Sequence, residues 1–132
     1  MTTNPIPNNI YETMLKICNE YGIDPSSSLD AQHYFEDLWI RFNNLTENAQ
    51  FPVWLVQKIK ENFISLSSGE KRPIWIQGSN WPFDQQTPMI FLGQIDLRQN
   101  KNPNLKNYFH DDVSIYVFLS REGNKEVIIQ EY

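Results

Sequence analysis

Apolar positions recur every three or four residues in the first half of this chain and every second residue in the latter half. Ile10, Met14, Ile17, Cys18 and Tyr21 mark one face of a predicted helix over residues 9–21. Asn9 is placed to cap it, with Glu12 as reciprocal partner, and Gly22 to stop it. A turn-rich connector, 24–28, leads to a second predicted helix over 30–43, capped by Asp30 or Ser28 and burying Phe35, Leu38, Trp39 and Phe42. A third begins at Phe51-Pro52 and carries Val56, Ile59, Phe63 and Leu66, with Ser67-Ser68-Gly69 ending it. Glu70-Lys71-Arg72 is a charged link between the two halves.

From Pro73 the period is two. Residues 74–77 read as a strand, 78–84 as a bend containing Trp81-Pro82, and 88–97 as a longer strand. In that longer run Met89, Phe91, Gly93, Ile95 and Leu97 are expected on one face. Apolar residues on both faces suit a central strand, and Gly93 suits a bulge or a close backbone approach. A polar connection over 98–112 precedes a strand over 113–120, a hairpin loop over 121–125 and a last strand over 126–132. The expected fold is α+β: three N-terminal helices packed on one face of an antiparallel sheet of about four strands. One domain over 1–132 is expected, with a helical half at 9–69 and a β half at 73–132.

Composition narrows the function classes. Of 132 residues, 40% are hydrophobic and 14% aromatic, enough to build a core. The formal net charge of −5 repels phosphate backbones, so nucleic acid is not expected as a partner. The same charge attracts basic proteins, many nucleases among them. Cys18 is the one cysteine and lies on an apolar helix stripe, which points to a core thiol in a reducing compartment. No signal peptide or membrane span is legible, so a cytoplasmic location is expected.

Candidate chemistry is sparse. His110-Asp111-Asp112 is the densest titratable set, placed by its pattern in a loop before a strand. His33 has no ligand-type residue four positions away to share a metal. Asp96 is expected to stabilise its surroundings by pairing with Arg98 or turn amides. Trp75 fits core packing, whereas Trp81 and Phe83 are candidates to line a recognition groove. No phosphate-binding glycine loop, nucleophile elbow, zinc-protease motif or paired-cysteine motif occurs. No cofactor or metal is implied.

Residues 74–77 (IWIQ), Trp81-Pro82 and residues 88–97 (PMIFLGQIDL), followed by an aromatic-rich strand at 113–120, resemble the YwqG-like bacterial domain family. The resemblance covers residues 73–120, with Gln94 to Leu97 as its most specific part, in a chain shorter than that family's usual domain. The family has no settled activity, and the resemblance implies mainly the sheet scaffold. Size, acidity and the lack of a catalytic motif also fit a bacterial immunity protein, which neutralises a basic toxin by binding it. The expected function is therefore non-enzymatic binding, with a small-ligand or metal-binding domain of the YwqG-like kind as the alternative. Loop residues Trp81, Asp84, His110, Asp111, Asp112 and Glu122 are the candidate partner-binding set.

Overall fold

A computed structural model describes residues 6–63, 72–97 and 112–132. Helix α1 spans Asn8–Glu20, α2 Leu29–Asn43 and α3 Phe51–Asn62. A two-residue-per-strand ribbon follows, β1 (Phe83–Asp84) with β2 (Thr87–Pro88), and then a sheet of β3 (Ile90–Asp96), β4 (Val113–Leu119) and β5 (Lys125–Glu131). The architecture is α+β, with all pairings antiparallel and β4 in the centre of the larger sheet.

The helices begin and end where local chemistry allows. Ser28 caps α2, accepting from the Ala31 N–H at 3.1 Å. α1 starts one residue before the expected cap: Pro7 holds the N-cap position with φ −57°, and no side chain caps the helix. Asn9 lies inside the first turn, where its carbonyl accepts from the Thr13 hydroxyl at 3.0 Å. At the other end Gly22 takes φ +82°, and its N–H bonds to Asn19 O while Ile23 N–H reaches back to Cys18 O, a Schellman closure. α3 buries Phe51, Trp54, Leu55 and Ile59, so its contact face includes three residues outside the predicted stripe, while Val56 is half-buried. Leu66, the 67–69 stop and most of the 98–112 connection lie outside the described residues.

One apolar cluster unites the two halves. Met14, Cys18, Phe35, Leu38, Leu55, Ile59 and Phe63 from the helical half pack with Trp81, Met89, Phe91, Tyr116 and Phe118. Aromatic rings run through it: Phe63 meets Trp81 edge-on at 5.3 Å, and Trp81 meets Phe118 at 5.3 Å.

β3 departs from the expected alternation. A bulge between Phe91 and Gly93 leaves Leu92 as the extra residue, 52% exposed. Past an inserted residue every side chain changes face. Met89 and Phe91 therefore point into the helical core, whereas Ile95 and Leu97 join Val113, Ile115 and Val117 in a smaller cluster. Among the described strands β3 lies at the edge of the sheet rather than in its centre, and a Cβ at Gly93 would meet nothing within 4 Å, so the glycine marks a bulge and not a close approach.

Residues 74–77 form no ladder, although their period is two. Their backbone is held by side chains standing on the sheet. Gln130 accepts from the N–H groups of Ile76 (2.9 Å) and Gln77 (3.0 Å) and donates to Gly78 O (2.8 Å). Gln94 accepts from Ile74 N–H (2.8 Å) and donates to Ile74 O (3.1 Å), and the Tyr116 hydroxyl donates to the same carbonyl at 2.7 Å. Two glutamine amides thus replace a neighbouring strand, satisfying backbone groups that would otherwise need one. Trp75 stacks on Tyr116 at 4.5 Å and donates its indole N–H to Gly22 O at 2.5 Å, which ties this strap to the end of α1. A Cβ at Gly22 would approach Pro73 O to 3.3 Å, so the glycine serves both the positive φ and the close packing.

Candidate functional site

The β1–β2 ribbon projects between α2, the end of α3 and the β4–β5 turn. Gln85 and Gln86 form its two-residue loop, with φ +50° and +66°. A type I′ hairpin requires positive φ at both positions and normally recruits Asn and Gly there. Two glutamines in the left-handed region carry strain of about 1–2 kcal/mol each. Strained loops of this kind concentrate at functional sites.

A cleft of about 350 Å³ lies on one side of the ribbon, lined by Tyr34, Asp37, Arg41, Asn62, Gln86 and Arg121 among others. A smaller one of about 190 Å³ adjoins it, where Asp84, Ser120, Arg121 and Glu122 meet. Arg121 lines both. Its guanidinium donates to Pro88 O at 2.5 Å and Asn62 O at 2.7 Å, clamping the ribbon to α3. Arg41 is paired with Asp37 at 2.9 Å, one turn away on α2. Asn124 donates to Asp84 at 3.4 Å, and Gln86 lies 3.4 Å from the His33 ring.

Tyr34 donates its hydroxyl to the Asn62 side chain. Burial pushes its phenol above the ordinary range, although the guanidinium charges of Arg121 and Arg41 pull the other way. It is thus a neutral hydrogen-bonding group at physiological pH. Cys18 is buried in the helical core, and burial, with the Asp24 carboxylate nearby, pushes its thiol up and away from nucleophilic use. No three His, Cys, Asp or Glu residues among those described are grouped to hold a metal.

The structure brings Asp84 and Glu122 together, 38 positions apart in the chain, on the walls of the smaller cleft. Trp81 stands behind them and only 4% exposed; it donates to Met89 O at 2.9 Å and packs in the core, so it supports the ribbon from beneath. Asp112 is exposed but precedes β4, whereas Glu122 follows it, which puts the two roughly 25 Å apart at ordinary strand rise. His110, Asp111 and the Arg98 partner expected for Asp96 lie outside the described residues. Asp96 accepts from the Tyr132 hydroxyl, in keeping with a stabilising role. The sequence reading missed Arg121, Tyr34, Asn62 and Arg41, which sit on three elements and share no linear pattern. The one local sign was a two-residue loop without glycine between Asp84 and Thr87.

Comparison with protein-family models, curated proteins and solved structures gave no match. No helix among the described residues is long and apolar enough to cross a membrane.

Proposed function

We propose that this chain is a non-enzymatic protein-binding domain that works through the face around the β1–β2 ribbon, in the manner of a bacterial immunity protein against a basic toxin. The observation that carries this reading is the rigidly clamped Gln85-Gln86 loop beside two adjoining polar clefts. A preformed, strained loop loses little freedom on binding. Amide, hydroxyl and carboxylate groups around it suit recognition of a polar protein surface. Asp84 and Glu122 offer carboxylates to basic side chains, and the net charge of −5 speeds encounter with a cationic partner. A cytoplasmic setting belongs to the same reading and is supported by the lone buried thiol.

The test is affinity capture from the native host at low salt with the wild-type chain and an Asp84→Lys/Glu122→Lys variant. A basic protein retained by the first and lost by the second is expected. Recovery of no protein partner, or of one indifferent to both charge reversals, would sink the proposal. The larger cleft favours a second reading, a small-ligand domain of the YwqG-like kind, because its volume of about 350 Å³ is of small-molecule size and Gln85, Gln86 and Thr87 bring polar side chains to its wall. A thermal-shift panel of metabolites and metals separates the two, since a ligand bound only by the folded state raises its melting temperature.

A further inference from the structure

β5 forms one edge of the larger sheet, and no described strand pairs with its outer side. Its ladder with β4 fixes which backbone groups remain unused. Tyr132 donates its N–H to Asp112 O at 2.8 Å, and Asn124 O accepts from Ser120 N–H at 2.7 Å. Bonded pairs alternate in an antiparallel ladder, so even-numbered residues of β5 turn toward β4. The N–H and C=O groups of Lys125, Val127, Ile129 and Glu131 therefore point outward. The opposite edge among the described strands, β3, is bent by its bulge, a device that discourages pairing, whereas the β5 register runs unbroken from Lys125 to Glu131. Val127 and Ile129 are each 48% exposed on the face away from the helices.

The order of residues along this edge is self-complementary. We propose that β5 pairs with β5 of a second copy of this chain, antiparallel, about a two-fold axis through Ile128. In that register Lys125 of each copy faces Glu131 of the other, and Val127 faces Ile129. Both are pairs of outward-facing residues, so they are the pairs whose backbone bonds can form. Centring the axis on Val127 instead sets Lys125 against Ile129. Centring it on Ile129 sets Val127 against Glu131. Each of those registers discards the charge match and overlaps fewer residues. The chosen register joins two three-stranded sheets into one and extends the apolar row of Ile115 and Ile129 into Val127 and Val117 of the partner copy. It satisfies an isologous contact with one strand, and it does not depend on the ribbon face.

Sedimentation equilibrium across a concentration series tests it, at about 0.15 M salt so that repulsion between the acidic copies is screened beyond about 8 Å. The expected result is a mass rising from 15.6 kDa toward twice that value. Val127→Pro deletes one outward N–H and leaves the β4 ladder intact, so it is expected to abolish the dimer. Lys125→Glu sets like charges opposite at two symmetric positions and should weaken association about tenfold. The Lys125→Glu/Glu131→Lys exchange should restore it. Circular dichroism establishes that each variant folds, and the charge pair keeps the test alive if the proline variant does not. A chain that stays monomeric up to roughly 1 mM, or a dimer indifferent to Lys125→Glu, overturns the proposal.

Discussion

Replacing Gln130 by Leu removes the amide that holds the strap and nearly preserves side-chain volume. Gln130 is 5% exposed and serves three backbone groups: Ile76 N–H, Gln77 N–H and Gly78 O. Each loses a hydrogen bond with a net value of about 0.5–1.5 kcal/mol, and one left dry costs about 1–3 kcal/mol. Gln77 and Gly78 are exposed and rehydrate, whereas Ile76 is half-buried and does so poorly. The sum is a loss of about 3 kcal/mol. An unfolding entropy of about 2.1 cal/mol/K per residue over 132 residues converts this to a melting temperature lower by about 10 °C. Urea unfolding followed by tryptophan fluorescence measures the free energy. The native baseline should also shift to the red, because Trp75 rides on the strap and stacks on Tyr116. A Gln130→Leu protein within about 0.5 kcal/mol of wild type, with unchanged emission, would refute the idea that glutamine amides stand in for a strand.

Two further outcomes follow from the site and the core. Gln85→Asn/Gln86→Gly supplies the residues a type I′ loop favours and should raise stability by about 1 kcal/mol in thermal unfolding, after the entropy gained by the unfolded glycine is subtracted. Alkaline titration should unfold the protein: the folded-state pKa values of Cys18 and Tyr34 are raised, so their contribution is complete below the unfolded values of about 8.5 and 10 and is lost as pH rises beyond them. The measured slope should approach about 1.4 kcal/mol per pH unit for each group, and Cys18→Ala should flatten the lower part of the curve.

The helices were legible because a buried helix face needs a run of apolar residues at a fixed spacing, and Met14, Cys18, Phe35 and Leu38 keep it. The central and last strands were legible for the same reason at period two. What failed were features with no local cause. The alternation of residues 74–77 is that of a strand, yet their hydrogen bonds go to Gln94 and Gln130, and nothing near either glutamine marks it as a backbone surrogate. The two faces of β3 could be assigned only with the bulge known. In the candidate site, Asp84 and Glu122 were found as loop carboxylates, but their meeting depends on the Arg121 clamp, which binds carbonyls rather than side chains.

The strap has a bearing on how this chain reaches its native state during synthesis. Residues 72–80 are anchored behind them to Gly22 and ahead of them to Gln94 and Gln130. The turn after the first helix and the final strand are thus joined through a segment from the middle of the chain. A ribosome-bound chain lacking residue 130 can stack Trp75 on Tyr116, but it leaves Ile76 N–H, Gln77 N–H and Gly78 O without their glutamine and β4 without β5. Folding as a unit therefore waits for the last strand to emerge, and the incomplete chain carries an open apolar face until then.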